Sequence, residues 1–219
     1  PTVGAFSDKL ISMGGSTILT EVPEMFGAEE SLMNRCETED LFNQTVALVN
    51  DFKNYFKSHN QTIYENPSPG NKKGGISSLE DKSLGCTQKS GSAPVMGVLS
   101  YGEPVKEKGL NLLSAPGNDL VASTALAASG AHIVLFTTGR GTPFASPVPT
   151  VKISTNNQLA KKKQNWIDFN CGVMVNDTPL DELSENLLDF VLEIASGKKS
   201  KSEEAGFHDM AIFKQGVTL

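Results

Sequence analysis

The sequence predicts a protein of the α/β class, in which a mainly parallel sheet is flanked by helices. Two observations lead to this prediction. Short apolar segments such as "HIVLF" alternate along the chain with segments of helical periodicity. Each of four apolar segments is followed by polar residues rich in glycine or proline. Together these features are typical of a Rossmann-like layered fold.

The first half of the chain predicts one strand and two helices. Residues 14–22, "GGSTILTEV", have the composition of a buried strand. Thr38 takes the N-cap position of a helix that runs to about residue 58. The segment 66–75, "NPSPGNKKGG", holds two prolines and three glycines and is predicted to be a loop. A further helix is predicted to begin after Ser78 and to end at Gly91.

The second half predicts a regular alternation of strands and helices. "GLNLLSAPGND" indicates a short strand and a Pro-Gly turn, and a helix of small residues is expected from Asn118 to Gly130. Three further strands are predicted in "HIVLFTTG", "PTVKIST" and "WIDFNCG", with a short helix in "NNQLAKKK". The clearest helix is "PLDELSENLLDFVLEIASG". The last residues, "AIFKQGVTL", keep apolar side chains and are expected to pack on the protein.

Composition and charge narrow the functional classes. The chain has 219 residues and a net charge of −6, which argues against nucleic acid as its main partner. No apolar run approaches the roughly 20 residues of a membrane helix, and no secretory signal is recognisable. The three cysteines are far apart without a CxxC pair, as is typical of a reducing compartment. We therefore expect a cytoplasmic protein that binds neither nucleic acid nor a membrane.

The polar ends of the predicted strands are where a ligand is expected. They read "TEVPE", "SAPGND", "TTGRGTP" and "DFNCG". In open parallel sheets, ligands bind outside the carboxyl ends of the strands. These four segments are therefore the first places to search for reactive side chains.

The turn "TTGRGTP" has the composition of an anion-binding loop. Arg140 is able to hold a carboxylate through two parallel hydrogen bonds, while Thr138, Gly141 and Thr142 add hydroxyl and backbone donors. A phosphate would suit the same groups. The sequence is neither a Walker A loop nor GxGxxG, so a nucleotide is a weak alternative. The remaining alternative is a plain surface turn.

Two pairs of charged residues are candidates for metal binding or proton transfer. Glu21 and Glu24 follow a predicted strand, where two nearby carboxylates repel unless a cation or a proton lies between them. Alternatively, the negative charges of both residues only stabilise the N-terminus of a following helix. Lys82 and Lys89 are seven residues apart in a predicted helix and therefore share one face. Most exposed lysines on helices have no specific role, which is the alternative here.

Further polar residues complete the set of candidates. Asp119 begins a predicted helix, and Asp168 and Asn170 alternate in "WIDFN", so that both face the same side of a strand. The three histidines form no metal-binding spacing and are predicted to be structural. Three dispersed thiolates from the cysteines would in principle be able to hold an iron–sulfur cluster, an alternative that spacing leaves open.

Several segments in this order resemble one family of enzymes. "TEVPEMFGAE", "ENPSPGNKKGG", "LEDKSLGCTQKSG", "LFTTGRGTPFASPVPTVKI" and "WIDFNCG" are similar to the altronate and galactarate dehydratases, from about residue 16 to the C-terminus. The altronate branch is the better match, because "NPSPGNKKGGISSLEDKSLGCTQK" and "FKQGVTL" resemble it throughout. Galactarate enzymes tend to have serine where Cys86 stands, which argues against Cys86 as an essential cluster ligand.

The resemblance implies a hydro-lyase of hexuronate breakdown that converts D-altronate to 2-keto-3-deoxy-D-gluconate and water. It also implies a divalent metal, Fe²⁺ or Mn²⁺. Residues 1–219 would be a single C-terminal α/β domain, and the N-terminal part of the longer enzyme would be its partner. Alternatives are a galactarate dehydratase, a sulfolactate sulfo-lyase, or a domain that only binds substrate or forms oligomers. Assembly into homo-oligomers is left open.

The resemblance points to particular residues of this chain without fixing the role of each, and the following roles are our hypothesis. Lys82, Lys89, Asp168 and Asn170 are expected to be catalytic, and Glu21 and Glu24 to bind the metal. A lysine serves as the base only if burial lowers its pKa enough; otherwise it supplies the positive charge opposite the enolate. The expected substrate-binding residues are Asn71, Asp119, Thr138, Arg140, Gly141 and Thr142.

Overall fold

The computed structural model describes residues 1–63, 72–73, 75–175 and 178–216, and within them the chain forms two parallel sheets flanked by helices. The strands are β1 (Ser16–Leu19), β2 (Val95–Leu99), β3 (Gly109–Leu113), β4 (Val134–Thr138), β5 (Thr150–Ser154) and β6 (Phe169–Asn170). The helices are α1 (Thr2–Ser12), α2 (Glu30–Met33), α3 (Glu39–Ser58), α4 (Leu79–Thr87), α5 (Asp119–Ala128), α6 (Asn157–Lys162), α7 (Leu180–Ala195) and α8 (Lys201–Glu204). Single 3₁₀ turns cover Val22–Met25, Gln88–Ser90 and Cys171–Val175.

The two sheets have three strands each, and all described strand pairs are parallel. The first sheet has the order β1-β3-β2, with Thr17 beside Leu110 and Val98 beside Leu112. The second has the order β4-β5-β6, with Phe136 beside Lys152. The predicted α/β class with a mainly parallel sheet is therefore confirmed, but the strands are divided between two sheets.

Side-chain caps fix where the helices begin. Thr38, Ser78 and Asn118 each accept a hydrogen bond from the backbone N–H three residues later. This satisfies one of the amides that a helix start leaves without an intrahelical partner. The predicted starts of α3, α4 and α5 are thereby confirmed.

Separate hydrophobic clusters support the two sheets. One cluster joins the first sheet to α3 and includes Val22, Val49 and Leu110, each at most 1% exposed. Another joins the second sheet to α1 and α7, where Phe6, Ile153 and Leu187 pack together. The burial of apolar surface in these clusters stabilises the packing of the helices on the sheets.

Among the described elements, helices α1, α2 and α8 and strand β2 are absent from the sequence interpretation. Helix α1 covers the start of the chain, and β2 forms an edge of the first sheet. Strand β2 contains Gly97 and a register shift between Val95 and Gly97, which weakens its sequence pattern. It is joined to its parallel neighbour β3 by residues 100–108 without a helix. The predicted loop 66–75 lies largely outside the described residues.

The C-terminal segment packs as predicted, up to residue 216. The Phe213 ring contacts Tyr55 and Tyr101, with centroids 5.7 and 5.8 Å away. Its backbone N–H donates to the Tyr101 hydroxyl at 2.8 Å. Among the described helices, none has the length and apolar character that crossing a bilayer requires.

Helix α1 closely approaches the turn that carries Lys89. A Cβ atom on Gly4 would lie 2.2 Å from the carbonyl oxygen of Gln88 and 3.2 Å from the nitrogen of Gly91. Real Cβ atoms do not come so close to backbone, so this approach requires glycine. The position of the 88–90 turn therefore depends on the absence of a side chain in α1.

We predict that Gly4→Ala destabilises the protein by about 1–3 kcal/mol, since the added methyl forces two backbone segments apart. Urea unfolding of the 219-residue chain measures this change. The matched control is Gly85→Ala in α4, where a Cβ meets nothing within 4 Å. It should be neutral or stabilising by up to about 1 kcal/mol. Equal effects of the two substitutions would contradict the close approach.

Candidate functional site

The carboxyl ends of β1 and β3 meet at one place. Past β1, the backbone N–H of Val22 donates to the carbonyl of Ala115 at 3.1 Å. Gly117, in the turn after β3, lies against Pro23 and Glu24, since a Cβ there would be 3.8 Å from Cγ of Glu24. The predicted segments "TEVPE" and "SAPGND" are therefore in contact.

Glu21 lies in this meeting point with an uncommon backbone conformation. Its φ and ψ are 64° and 60°, the left-handed region that residues other than glycine rarely adopt. The conformation turns the chain from β1 into the 3₁₀ turn Val22–Met25. Backbone strain of this kind costs on the order of 1–3 kcal/mol and is concentrated at functional sites.

One face of α4 and the turn after it completes the cluster. Lys82, Cys86 and Lys89 are spaced by four and three residues, so they lie on the same side. The Lys82 ammonium donates to Oε1 of Glu24 at 2.6 Å, and the Cys86 thiol donates to Oε2 at 2.9 Å. The Lys82 and Glu24 side chains remain 16% and 18% exposed, so the pair is partly open to solvent.

Burial and these contacts shift the pKa values of Glu21 and Glu24 in opposite directions. Burial alone would raise the pKa of Glu24, but hydrogen bonds from Cys86 and Lys82 hold it below its ordinary value. Burial, followed by the negative charge of Glu24, raises the pKa of Glu21 to about 7. Near neutral pH, Glu24 is therefore an anion and Glu21 is able to take up or release a proton.

Lys89 is a cation in this cluster. Burial lowers the pKa of Lys89, but the acidic groups of Cys86, Glu21, Glu24 and Asp119 outweigh that effect and raise it above the ordinary value. The condition for a lysine base, a lowered pKa, is therefore not met at Lys89. The described geometry favours the other expected role, a fixed positive charge.

Asp119 lies at the rim of the same cluster. It is the first residue of α5, and Asn118 rather than Asp119 caps that helix. Partial burial, followed by the charge of Glu24, raises the pKa of Asp119 above its ordinary value. The positive charges of Lys82 and Lys89 oppose this shift but do not cancel it. Five of the sequence-predicted residues are thus brought together: Glu21, Glu24, Lys82, Lys89 and Asp119.

The cluster as described does not fit a divalent metal. Within the described parts of the chain, no group of three or more His, Cys, Asp or Glu side chains is placed to hold a metal ion. Both oxygens of Glu24 already accept hydrogen bonds, and Lys82 and Lys89 add two positive charges. The expectation of iron or manganese at Glu21 and Glu24 stays a prediction.

The three cysteines have different surroundings. Cys86 donates to Glu24, whereas Cys36 lies 3.4 Å from the Thr45 hydroxyl beside α3. Cys171 packs against the hydrophobic cluster of the second sheet. Thiolate ligands of an iron–sulfur cluster must converge on one site, so this arrangement gives the cluster alternative no support.

The "TTGRGTP" turn lies at the carboxyl end of the second sheet. The backbone N–H groups of Arg140 and Gly141 donate to Oγ1 of Thr138, at 3.3 and 2.9 Å. These two amides, expected as donors to an anion, are used within the turn itself. Gly141 has φ +82° and a Cβ there would lie 3.2 Å from Leu159, which explains the glycine. Arg140 is exposed, and Thr142 is partly buried.

Two predicted catalytic residues are engaged in structural bonds. The carboxylate of Asp168 accepts the backbone N–H groups of Lys152 and Lys201, both at 2.8 Å. The amide of Asn170 donates to Asn157 at 2.8 Å and accepts the N–H of Gly172 at 2.9 Å. The described geometry therefore indicates bracing roles for both.

Two further positions complete the comparison with the sequence. Asn71, a predicted substrate-binding residue, lies outside the described residues. Cys86 contacts Glu24 but was not among the candidate residues. Its position, four residues after Lys82 and three before Lys89, is the signal that would have placed it on the same helix face.

Comparison with known proteins identifies the family. The family profile described as D-galactarate/Altronate dehydratase, C-terminal, matches residues 1–218. The chain belongs to the D-galactarate/altronate dehydratase family. Within this family it is 59% identical to an altronate dehydratase of Escherichia coli (strain K12) and 60% identical to one of Bacillus subtilis (strain 168). Each of these two comparisons covers all of this chain and 44% of the relative.

A more distant member of the family has a different named substrate. The galactarate dehydratase (L-threo-forming) of Escherichia coli is 35% identical over 217 residues, which are 97% of this chain and 42% of that protein. The chain thus spans less than half the length of these relatives. Sequence identity places it nearer to the two altronate dehydratases.

We predict that Glu21→Gln changes stability in a pH-dependent way. The folded protein holds the Glu21 proton up to about pH 7, whereas an ordinary glutamate releases it near 4.5. A raised pKa means that the stability this group contributes is lost as the pH rises through 7. Glutamine cannot ionise. The free energy of unfolding of the variant should therefore rise relative to that of the wild type between pH 5 and pH 8, by up to about 3 kcal/mol.

Urea unfolding at pH 5, 6.5 and 8 measures the difference between variant and wild type. Glu37→Gln, at an exposed position, is the matched control and should show no such trend. If the free energy of unfolding of Glu21→Gln differs from that of the wild type by the same amount at all three pH values, the raised pKa of Glu21 is contradicted.

Proposed function

We propose that this chain carries the proton-transfer site of a sugar-acid dehydratase that converts D-altronate to 2-keto-3-deoxy-D-gluconate and water. The observation that carries the proposal is the convergence of Glu21, Glu24, Lys82 and Lys89 at the carboxyl ends of β1 and β3. The relatives named altronate dehydratase, at 59–60% identity, support the choice of substrate.

The first chemical step needs a base of suitable strength. A proton next to a carboxylate is weakly acidic, and its removal leaves an enolate with two negative charges. Glu21, with a pKa of about 7, is a stronger base than an ordinary glutamate and is still ionised in part at neutral pH. We assign to it the removal of this proton, and the electron pair of the C–H bond becomes the enolate.

The enolate needs positive charge in a fixed position. Lys89 supplies it, because its acidic neighbours keep it protonated within the site. Removing one such preorganised group typically costs about a hundredfold to a thousandfold in turnover. Holding the charge in place before the reaction avoids the cost of arranging solvent around the enolate.

The second step breaks the C–O bond of the neighbouring hydroxyl. The enolate electrons form the C=C bond, and the departing hydroxyl needs a proton to leave as water. Lys82 is the donor we assign, because Glu24 holds its ammonium at 2.6 Å and so fixes its position. The enol then becomes the 2-keto acid as its O–H proton is released and C3 takes up a proton from solvent. Glu21 releases its proton to solvent and Lys82 takes one up, which restores the starting state.

Substrate binding at the second sheet is a further part of the proposal. Arg140 would hold the carboxylate of the sugar acid, because a guanidinium matches it with two parallel hydrogen bonds. Thr142 and the Thr138 hydroxyl would contact the sugar hydroxyls. Metal-assisted chemistry, a cytoplasmic location and a role in hexuronate breakdown remain predictions for the full-length protein.

The proposal is tested by product formation in the full-length natural protein. We predict that Lys89→Met reduces kcat/KM for D-altronate at least a hundredfold, because the enolate loses its fixed counter-charge. A colorimetric assay for 2-keto-3-deoxy acids follows the reaction. Lys161→Met, at an exposed position in α6, is the matched control and should leave turnover unchanged.

A substrate panel separates this proposal from its alternatives. D-altronate, galactarate and sulfolactate are compared, with sulfite release measured for the last. Turnover of D-altronate alone supports the assignment. Preference for galactarate or release of sulfite would reject the substrate, and normal turnover by Lys89→Met would reject the mechanism.

A further inference from the structure

The Glu24 carboxylate is held on both sides by one turn of α4. Oε1 accepts from Lys82 at 2.6 Å, and Oε2 accepts from the thiol of Cys86 at 2.9 Å. The two donors are four residues apart, so they lie one above the other on the helix. With both oxygens engaged, the carboxylate has little freedom to rotate away from Lys82.

We propose that Cys86 is a positioning residue of the dehydratase site: its thiol hydrogen bond holds the Glu24 carboxylate against Lys82 and thereby fixes the direction of the Lys82 ammonium. This inference rests on the proposed function, because it is Lys82 that is assigned to protonate the departing hydroxyl. Cys86 acts through Glu24 and is not assigned to any reacting atom.

The chemistry of the thiol suits this task. The Cys86 thiol donates its hydrogen to Oε2 of Glu24 at 2.9 Å without adding charge to the site. The thiolate is the reactive form of cysteine, so a thiol that keeps its hydrogen in this bond is a poor nucleophile and a poor metal ligand. Neither of those roles therefore competes with the positioning role.

A purely structural explanation makes a different prediction. If Cys86 only filled space, serine and alanine would be similarly poor replacements, because both are smaller than cysteine. If Cys86 acts as a donor, serine should replace it well, because its O–H reaches the same oxygen. Alanine would leave Oε2 of a largely buried carboxylate without a partner. The two variants differ by a single hydroxyl group.

Kinetics of the full-length natural protein with D-altronate is the first test. Cys86→Ala should lower kcat about tenfold, the scale of one hydrogen bond to a charged group, with KM nearly unchanged. Cys86→Ser should keep kcat within about threefold of the wild type. Equal losses in the two variants, or a loss confined to KM, would overturn the proposal.

A second test does not depend on turnover. Melting temperatures are measured for Cys86→Ala, Glu24→Gln and the double variant, with Glu80→Gln on the exposed side of α4 as the control partner. Coupled residues give non-additive effects. Cys86→Ala should therefore lower the melting temperature less in the Glu24→Gln background than in the wild type. In the Glu80→Gln background it should lower the melting temperature as much as in the wild type.

The two tests separate failure of the inference from failure of the proposed function. Additive effects of Cys86→Ala and Glu24→Gln would overturn the inference whether or not the protein is active. If no variant and no wild type converts D-altronate, the dehydratase function fails. The melting temperatures then decide alone whether the Cys86 thiol holds Glu24.

Discussion

The burial of two neighbouring glutamates is the constraint on which the site depends. Glu21 and Glu24 are three residues apart at the end of β1, and loss of solvent, followed by the charge of Glu24, disfavours the Glu21 anion. The two carboxyl groups respond differently. Hydrogen bonds from Lys82 and Cys86 stabilise the Glu24 anion, and Glu21 is left to hold a proton up to about pH 7. Glu21 is thereby able to exchange a proton near neutral pH, while the Glu24 anion holds the Lys82 ammonium.

Several parts of the fold build the site in which the pKa values of Glu21 and Glu24 differ. The left-handed backbone of Glu21 sets the turn, and the contact of Gly117 with Glu24 brings the ends of β1 and β3 together. Helix α4 supplies the donors from one face, and α1 presses against the turn that carries Lys89 through its close approach at Gly4. The site thus combines two strand ends, one face of a helix and a turn against which a second helix packs.

Much of this arrangement could be predicted from the sequence. The caps at Thr38, Ser78 and Asn118 and the polar strand ends follow from local patterns, and the seven-residue spacing of Lys82 and Lys89 correctly predicted a shared face. Other features could not be predicted. The division into two sheets depends on long-range packing, and so does the pairing of β2, whose pattern Gly97 interrupts. The cation state of Lys89 depends on the charges around it, which no local pattern reports. Asp168 and Asn170 alternate as a catalytic pair would, yet the structure uses their polar atoms to brace β5 and β6.

The central claim is that Glu21 and Glu24 have separated acidities. Its most direct test is a pH titration of the carboxyl carbons by ¹³C NMR in protein labelled at glutamate. The Glu21 and Glu24 signals are assigned by their loss in the corresponding glutamine variants. The account predicts that Glu21 titrates near pH 7, and that Glu24 titrates below the ordinary glutamate value of 4.5. Titration of both groups together near pH 4.5 would contradict it, because neither would then carry an exchangeable proton at neutral pH.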